Sequence, residues 1–209
     1  LLMLHRLSKI ADDKVEWYRE RQQVQERLAG LEVLNAQLTH QLTLDGPTGL
    51  YNKKTFHEDL DRFLAQVRSG KSYYLLLMDL DRFKDVNARF GHAIGDAVIA
   101  KVGSYFRELP SLRAYRAGGD KFALIIKPRD DQQMLNAARK IKKDMSRIFI
   151  AEEAEPMTVS QGIALADQTI RSGEEWYAQA KRALEQAKTV RNAGIYLVST
   201  GQGTASLRF

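Results

Sequence analysis

The chain has 209 residues, no cysteine and a formal charge of +6, which excludes disulfides and thiolate metal sites. At 44% hydrophobic residues it can build a sizeable core, which argues against disorder, and no apolar run approaches the ~20 residues of a membrane span. Its length suits one ordinary domain plus an extra element.

Residues 1–44 hold six basic and six acidic side chains. The positive excess therefore lies beyond them, where a basic surface prefers anionic partners such as a nucleotide, a nucleic acid or an acidic protein. The opening "LLML" is too short for a signal-peptide core and has no basic leader. The first residue is not Met, which leaves room ahead of Leu1 for a sensor domain or a membrane span. A cytoplasmic location is expected, alone or as the cytoplasmic part of a longer, membrane-attached protein.

The first element predicted is a long helix over 1–44. Leu7, Lys14, Arg21, Leu28, Asn35 and Leu42 fall seven apart, as do Met3, Ile10, Trp17, Val24, Leu31 and Leu38. The two sets alternate by four and three, which is the a/d spacing of a coiled coil. The seam is polar at Lys14 and Arg21 and cleaner from Val24 onward, and Asn35 at an a position favours a two-stranded parallel pairing. A homodimer through this segment is expected, over a lone amphipathic helix packed on its own domain.

"DGPTGLYN" (45–52) breaks that helix. A second helix follows in "TFHEDLDRFLAQVRSG" (55–70), where Thr55 and Glu58 have capping-box spacing and Gly70 suits the stop. "YYLLLM" (73–78) reads as a buried strand. "DRFKDVNARFG" and "GDAVIAKVGSYFREL" read as helices with Gly91 between them. Residues 113–117 and 121–126 form a hairpin around Gly118-Gly119, a pair that tolerates positive φ. The helix "QQMLNAARKIKKDMSRIF", the strand "MTVSQGIAL", the helix "EEWYAQAKRALEQAK" and the strand "GIYLV" complete the chain. Residues 45–198 then make one domain and 199–209 a tail. The order predicts an α+β fold with a ferredoxin-like βαββαβ core, an antiparallel sheet with helices on one face. That fold hosts many functions, so function has to come from the site.

Asp79 ends an apolar strand and Asp120 lies just beyond the hairpin turn. In a ferredoxin-like sheet these strands are neighbours, so the two carboxylates can converge. Converging carboxylates suit Mg²⁺, which takes oxygen ligands and phosphates, and the glycines let the backbone approach a large ligand. Any single Asp is more often a turn or helix cap; two converging acids beside a basic helix make a stronger case. On that helix Lys84 and Asn87 share a face. Lys84 can meet phosphate, although a lone lysine is usually a solvated surface residue. Asn87 and Asp96 can read a base, since a carboxylate accepts two hydrogen bonds from the N1–H and exocyclic amine of guanine.

"DGPTGLYN", "MDLDRFKDVNARFGHAIGDAVI", "RAGGDKF", "VSQGIA" and "AKTVRN" resemble, in order, the signatures of GGDEF domains, the catalytic domains of diguanylate cyclases. The match runs from about Asp45 to about Leu197. The resemblance implies condensation of two GTP into cyclic di-GMP by two domains that face each other in a dimer. It implies in-line attack of a ribose 3′-oxygen on an α-phosphorus, with release of pyrophosphate, assisted mainly by positioning and charge neutralisation. It implies that Asp79, the Leu80 carbonyl and Asp120 hold Mg²⁺ (or Mn²⁺), with Asp79, Asp120 and Lys84 as the catalytic set. Asn87 and Asp96 would bind guanine; Lys84, Lys188 and Arg191 would bind phosphates; and Phe83, Gly118 and Gly119 would line the nucleotide. Residues 1–44 resemble the helical stalk of such enzymes, which implies an upstream sensor domain or partner protein.

Four departures stand out. Lys121 replaces the acid of the family signature, giving GGDKF, a swing of two charge units beside the expected metal site. "LPSL" (109–112) lacks the Arg-x-x-Asp of the family's product-inhibition site. "AKTVRN" is one residue shorter than the usual Ala-Lys-x-x-Gly-Arg-Asn, which weakens the roles of Lys188 and Arg191. "DGPTGL" replaces a Pro-Leu pair, a change confined to the linker. Two readings stay open, and Lys121 favours the first: a degenerate domain that binds GTP with weak or lost cyclase activity, or an active diguanylate cyclase. RNA binding on a ferredoxin-like sheet stands far behind, because the third strand offers Phe122 and no alternating aromatic pair.

Overall fold

Residue alternation along one strand sets the architecture. In the computed structural model, which describes residues 2–109, 112–148, 156–189 and 194–198, β1 (Tyr73–Leu80) is buried at every position. Successive side chains of a strand point to opposite faces, so a continuous apolar run requires cover on both. Leu76, Met78 and Leu80 pack into one core and Leu75 and Leu77 into another.

The chain divides into two units at the Leu42/Thr43 boundary. The first is formed by the helix α1 (Leu2–Thr43), all but its last residue. Along it Val24, Leu28, Leu31, Leu38 and Leu42 are 49–62% exposed. The second contains α2 (Lys53–Val67), β1, α3 (Phe83–Phe90), α4 (His92–Arg107), β2 (Leu112–Gly118), β3 (Lys121–Ile126), α5 (Asp131–Met145), β4 (Val159–Ala166), α6 (Gly173–Lys188) and β5 (Ile195–Val198). The strands order as β2-β3-β1-β4-β5. The first four pair antiparallel, which is the expected ferredoxin-like core. β5 adds to β4 in parallel, so the five-stranded sheet is mixed.

Helices lie on both faces, not one. Val98, Val102 and Phe106 of α4 and Met134, Leu135 and Ala138 of α5 join the core containing Leu76 and Met78. Phe56, Leu60 and Leu64 of α2 and Trp176, Ala180 and Leu184 of α6 join the core containing Leu75 and Leu77. The ferredoxin-like unit supplies the first layer, and the flanking α2 and the added α6-β5 supply the second. Fully burying each such large apolar side chain contributes about 1.5–3 kcal/mol. Phe122 is fully buried with its ring 5.9 Å from that of Phe106, so it offers no platform for stacking RNA bases.

The start of α2 also differs from expectation. Its N-cap is Asn52, whose Oδ1 accepts from the Thr55 N–H at 3.0 Å. Asparagine is a strong N-cap, and it moves the helix start ahead of the Thr55–Glu58 spacing.

α6 sits directly on β4. A Cβ built at Gly162 would lie 2.0 Å from the Leu184 nitrogen and 2.5 Å from the Ala180 oxygen, both helix backbone. The Trp176 indole N–H donates to the Ala164 carbonyl at 3.0 Å beside it. Gly162→Ala must therefore push the helix off the sheet. The expected cost is about 3 kcal/mol, the upper part of the overpacking range, or a fall in Tm of roughly 6–12 °C for a domain of this size. Thermal unfolding followed by circular dichroism measures it.

Candidate nucleotide site

The register of β1 against its neighbours builds the centre of the site. Asp79 pairs with Lys121 on β3 and with Ser160 on β4. Directly opposed residues share a face of the sheet, so Lys121 is placed beside Asp79 by register alone. Asp120 precedes it, at the end of a turn in which Gly118 (φ 130°) and Gly119 (φ 57°) take positive φ. That conformation is open to glycine and strained for most other residues.

The expected convergence of Asp79 and Asp120 is present, with an ammonium group between them. Lys121 Nζ lies 3.0 Å from Asp79 Oδ2 and 2.9 Å from Asp120 Oδ1. Lys188 Nζ, from the last turn of α6, donates to the same Asp79 Oδ2 at 2.9 Å. Asp79 is 5% exposed, and a buried carboxylate needs such partners. Burial pushes the Lys121 ammonium down, but hydrogen bonds to Asp120 and Asp79, and their charges, outweigh it. Its pKa stands well above the usual lysine range, so it is charged at neutral pH.

The two acids do not fit a Mg²⁺ or Mn²⁺ site as they stand. Mg²⁺ demands oxygens at about 2.0–2.1 Å, whereas here both carboxylates hold nitrogen at 2.9–3.0 Å. Among the described residues no cluster of three or more metal-binding side chains forms. Asp81 is turned elsewhere: its Oδ1 accepts from Ser160 Oγ at 2.7 Å, and its Oδ2 is buried without a partner. Leu80, expected to offer its carbonyl, is fully buried, and its N–H donates to the Asp120 carbonyl at 3.2 Å.

The residues expected to read a base lie on α3 and α4, Asn87 on the first and Asp96 on the second. Asn87 is half-buried, and its Oδ1 is enclosed with no hydrogen-bond partner. A buried unpaired acceptor costs about 1–3 kcal/mol, so a polar ligand that reached it would relieve a penalty. Asn87 rests on Gly95, where a Cβ would lie 1.8 Å from Oδ1 and 3.1 Å from the Phe83 ring. The next residue, Asp96, is exposed, as is Lys84; Phe83 is half-buried. Arg191 lies outside the described residues.

Sequence reasoning missed two supporting residues. Gly95 is one; the small residue next to Asp96 was its only signal. Arg116 is the other. Its Nε and Nη2 both donate to the Gly119 carbonyl at 3.1 Å, and its Nη1 donates to Asp45 Oδ1 at 3.2 Å. One guanidinium thus holds the glycine turn and the segment that follows α1.

A ferredoxin-like sheet with an Asp-ended first strand, a Gly-Gly-Asp hairpin and helices on both faces defines a nucleotidyl-cyclase-like α+β domain. The family model described as "Diguanylate cyclase, GGDEF domain" matches residues 42–193, and the chain belongs to the GGDEF-domain family. Among curated proteins it is similar to the diguanylate cyclase DgcN of Escherichia coli K12, at 34% identity over 121 residues, covering 57% of this chain and 29% of DgcN. It is similar also to the diguanylate cyclase DgcZ of the same strain, at 33% over 137 residues, covering 62% of this chain and 45% of DgcZ. The chain thus spans less than half the length of either relative. Among solved structures, the coiled coil and GGDEF domain of DgcB from Caulobacter crescentus, in complex with c-di-GMP, superposes with a TM-score of 0.75 at 28% identity. It covers 84% of this chain and 97% of that one. The diguanylate cyclase SiaD of Pseudomonas aeruginosa, solved with its activator SiaC, shares the fold: TM-score 0.70, 24% identity, 95% of this chain and 85% of that one.

Asn87 on Gly95 generates a test. The clash of a Gly95→Ala methyl is with the far end of a side chain, which can swing away. The variant is expected to keep the wild-type Tm within a few degrees and to weaken GTP binding about tenfold or more, the ~1.4 kcal/mol of one displaced polar contact. Calorimetric titration with GTP, beside a melting curve, reads both.

Proposed function

We propose that this domain acts in cyclic di-GMP signalling as a GTP-binding GGDEF module whose diguanylate cyclase activity is weak or lost. The observation that carries the proposal is the Lys121 ammonium lodged between Asp79 and Asp120. Guanine would be read by Asn87 and Asp96, with Phe83 alongside, and the phosphates would meet Lys84, Lys188 and the Gly118-Gly119 turn. Arg191 is proposed for the phosphates on resemblance alone. In an enzyme of this class Mg²⁺ or Mn²⁺ would bind at Asp79, the Leu80 carbonyl and Asp120. Lys121 works against it: two unit charges near 4 Å interact by about 4 kcal/mol at an effective dielectric of ~20, enough to alter metal occupancy by orders of magnitude.

A second reading, an active diguanylate cyclase, draws on the activity named for DgcN and DgcZ. One assay separates the two. The purified chain is incubated with GTP and Mg²⁺ or Mn²⁺, and products are resolved by chromatography. Little or no cyclic di-GMP is expected from the wild type, and Lys121→Glu is expected to raise turnover about tenfold or more, equivalent to ~1.4 kcal/mol in the barrier. Asp120→Asn in the same background is expected to abolish the gain. Robust wild-type synthesis equal to that of Lys121→Glu establishes the active reading instead.

The stalk is proposed to make the module a homodimer through residues 1–44. The support is the exposed row Val24, Leu28, Leu31, Leu38 and Leu42, which carries the a/d spacing, and the coiled coil in the DgcB structure. An upstream sensor domain or a separate protein would then act through it. No helix among the described residues is long and apolar enough to cross a membrane. Sedimentation of the full chain is expected to give a dimer at tens of micromolar, well above the ~1 μM that corresponds to about −8 kcal/mol. Leu31→Glu is expected to shift it toward monomer.

A further inference from the structure

We infer that Lys121 is the resident cation of this domain, so that the site takes a nucleoside triphosphate without a divalent metal ion. This rests on the nucleotide-binding reading above and adds to it how the phosphate charge is met.

The geometry is that of a tethered counter-ion. An ammonium has three N–H donors and no acceptor. Contacts at 3.0 Å to Asp79 and 2.9 Å to Asp120 occupy two of them. The Lys121 side chain remains 49% exposed, which leaves its third donor open to a phosphate oxygen. Lys188, 33% exposed, brings a second ammonium to Asp79 at 2.9 Å. The charges of Asp79 and Asp120 are thereby cancelled by Lys121 and Lys188 before any ligand arrives.

That cancellation removes the usual need for metal. Two bare carboxylates repel a triphosphate, and a divalent ion is required to bridge them. Here the bridging positive charge is part of the chain, and it reaches the acids from the directly opposed position of the ladder. A metal ion entering the same space would have to displace one ammonium and sit beside the other. Anchoring at both ends also matters: Lys121 begins β3 and Lys188 ends α6, so neither cation is on a loose loop.

Calorimetry on the full chain tests this. GTP is titrated in EDTA and, separately, in excess MgCl₂. The two dissociation constants are expected to agree to better than about tenfold, or ~1.4 kcal/mol. Lys121→Met is expected to weaken binding in EDTA about tenfold or more, and Lys121→Glu is expected to make binding depend on Mg²⁺. Titration of Mn²⁺ alone, followed by electron paramagnetic resonance, is expected to show no tight site in the wild type and one in Lys121→Glu. Wild-type binding that requires Mg²⁺ overturns the inference and leaves the nucleotide reading standing. Binding by Lys121→Met in EDTA as tight as wild type also overturns it. Absence of GTP binding in both buffers overturns both readings.

Discussion

The contact on which the site depends is one ion pair between adjacent strands. Asp79 is nearly inaccessible to water and lies at the end of a strand buried on both faces. An ionised carboxylate there is sustained only by cations within bonding distance, and two lysines meet the requirement. They reach it from separate elements, β3 and α6. The sheet register, the packing of α6 on Gly162 and the glycine turn before Asp120 all converge on that one oxygen atom, Asp79 Oδ2.

Each supporting feature can be traced to a packing constraint. α6 approaches β4 closely because position 162 has no side chain, and that approach brings Lys188 within reach of the sheet end. Odd-numbered residues of β1 face α6, as Leu75 and Leu77 show, and Asp79 continues their row. Even-numbered residues face α4 and α5, which puts Leu80 in the opposite core. On that side α3 and α4 are joined through Gly91 and meet where Asn87 rests on Gly95. The row that carries Asp79 and the row packed against α4 and α5 thus lie on opposite faces of the sheet.

Much of this was legible in residue order. The apolar run 73–78, the Gly118-Gly119 hairpin and the strand–helix order led directly to the ferredoxin-like core, and the ordered motifs led to the family. What could not be read was set by tertiary contact. Helices on both faces followed from the full burial of β1, which a short apolar run does not distinguish from burial on one face. The cap of α2 went to Asn52 because it lies three residues ahead of Thr55 with extended backbone, whereas Thr55–Glu58 offered only a spacing. Lys121 was recognised as a charge reversal, but its hold on both acids depends on pairing with Asp79, and register is a property of the assembled sheet. The link from Arg116 to Asp45 spans 71 positions, beyond any local pattern.

Lys121 stands at the exposed first position of β3, with every following residue of the strand buried. It packs into no core, so exchanging it leaves the hydrophobic interior untouched. Lysine and glutamate codons differ only at their first base. A single first-base change therefore exchanges the ammonium at this centre for a carboxylate, at an exposed position that packs into no core.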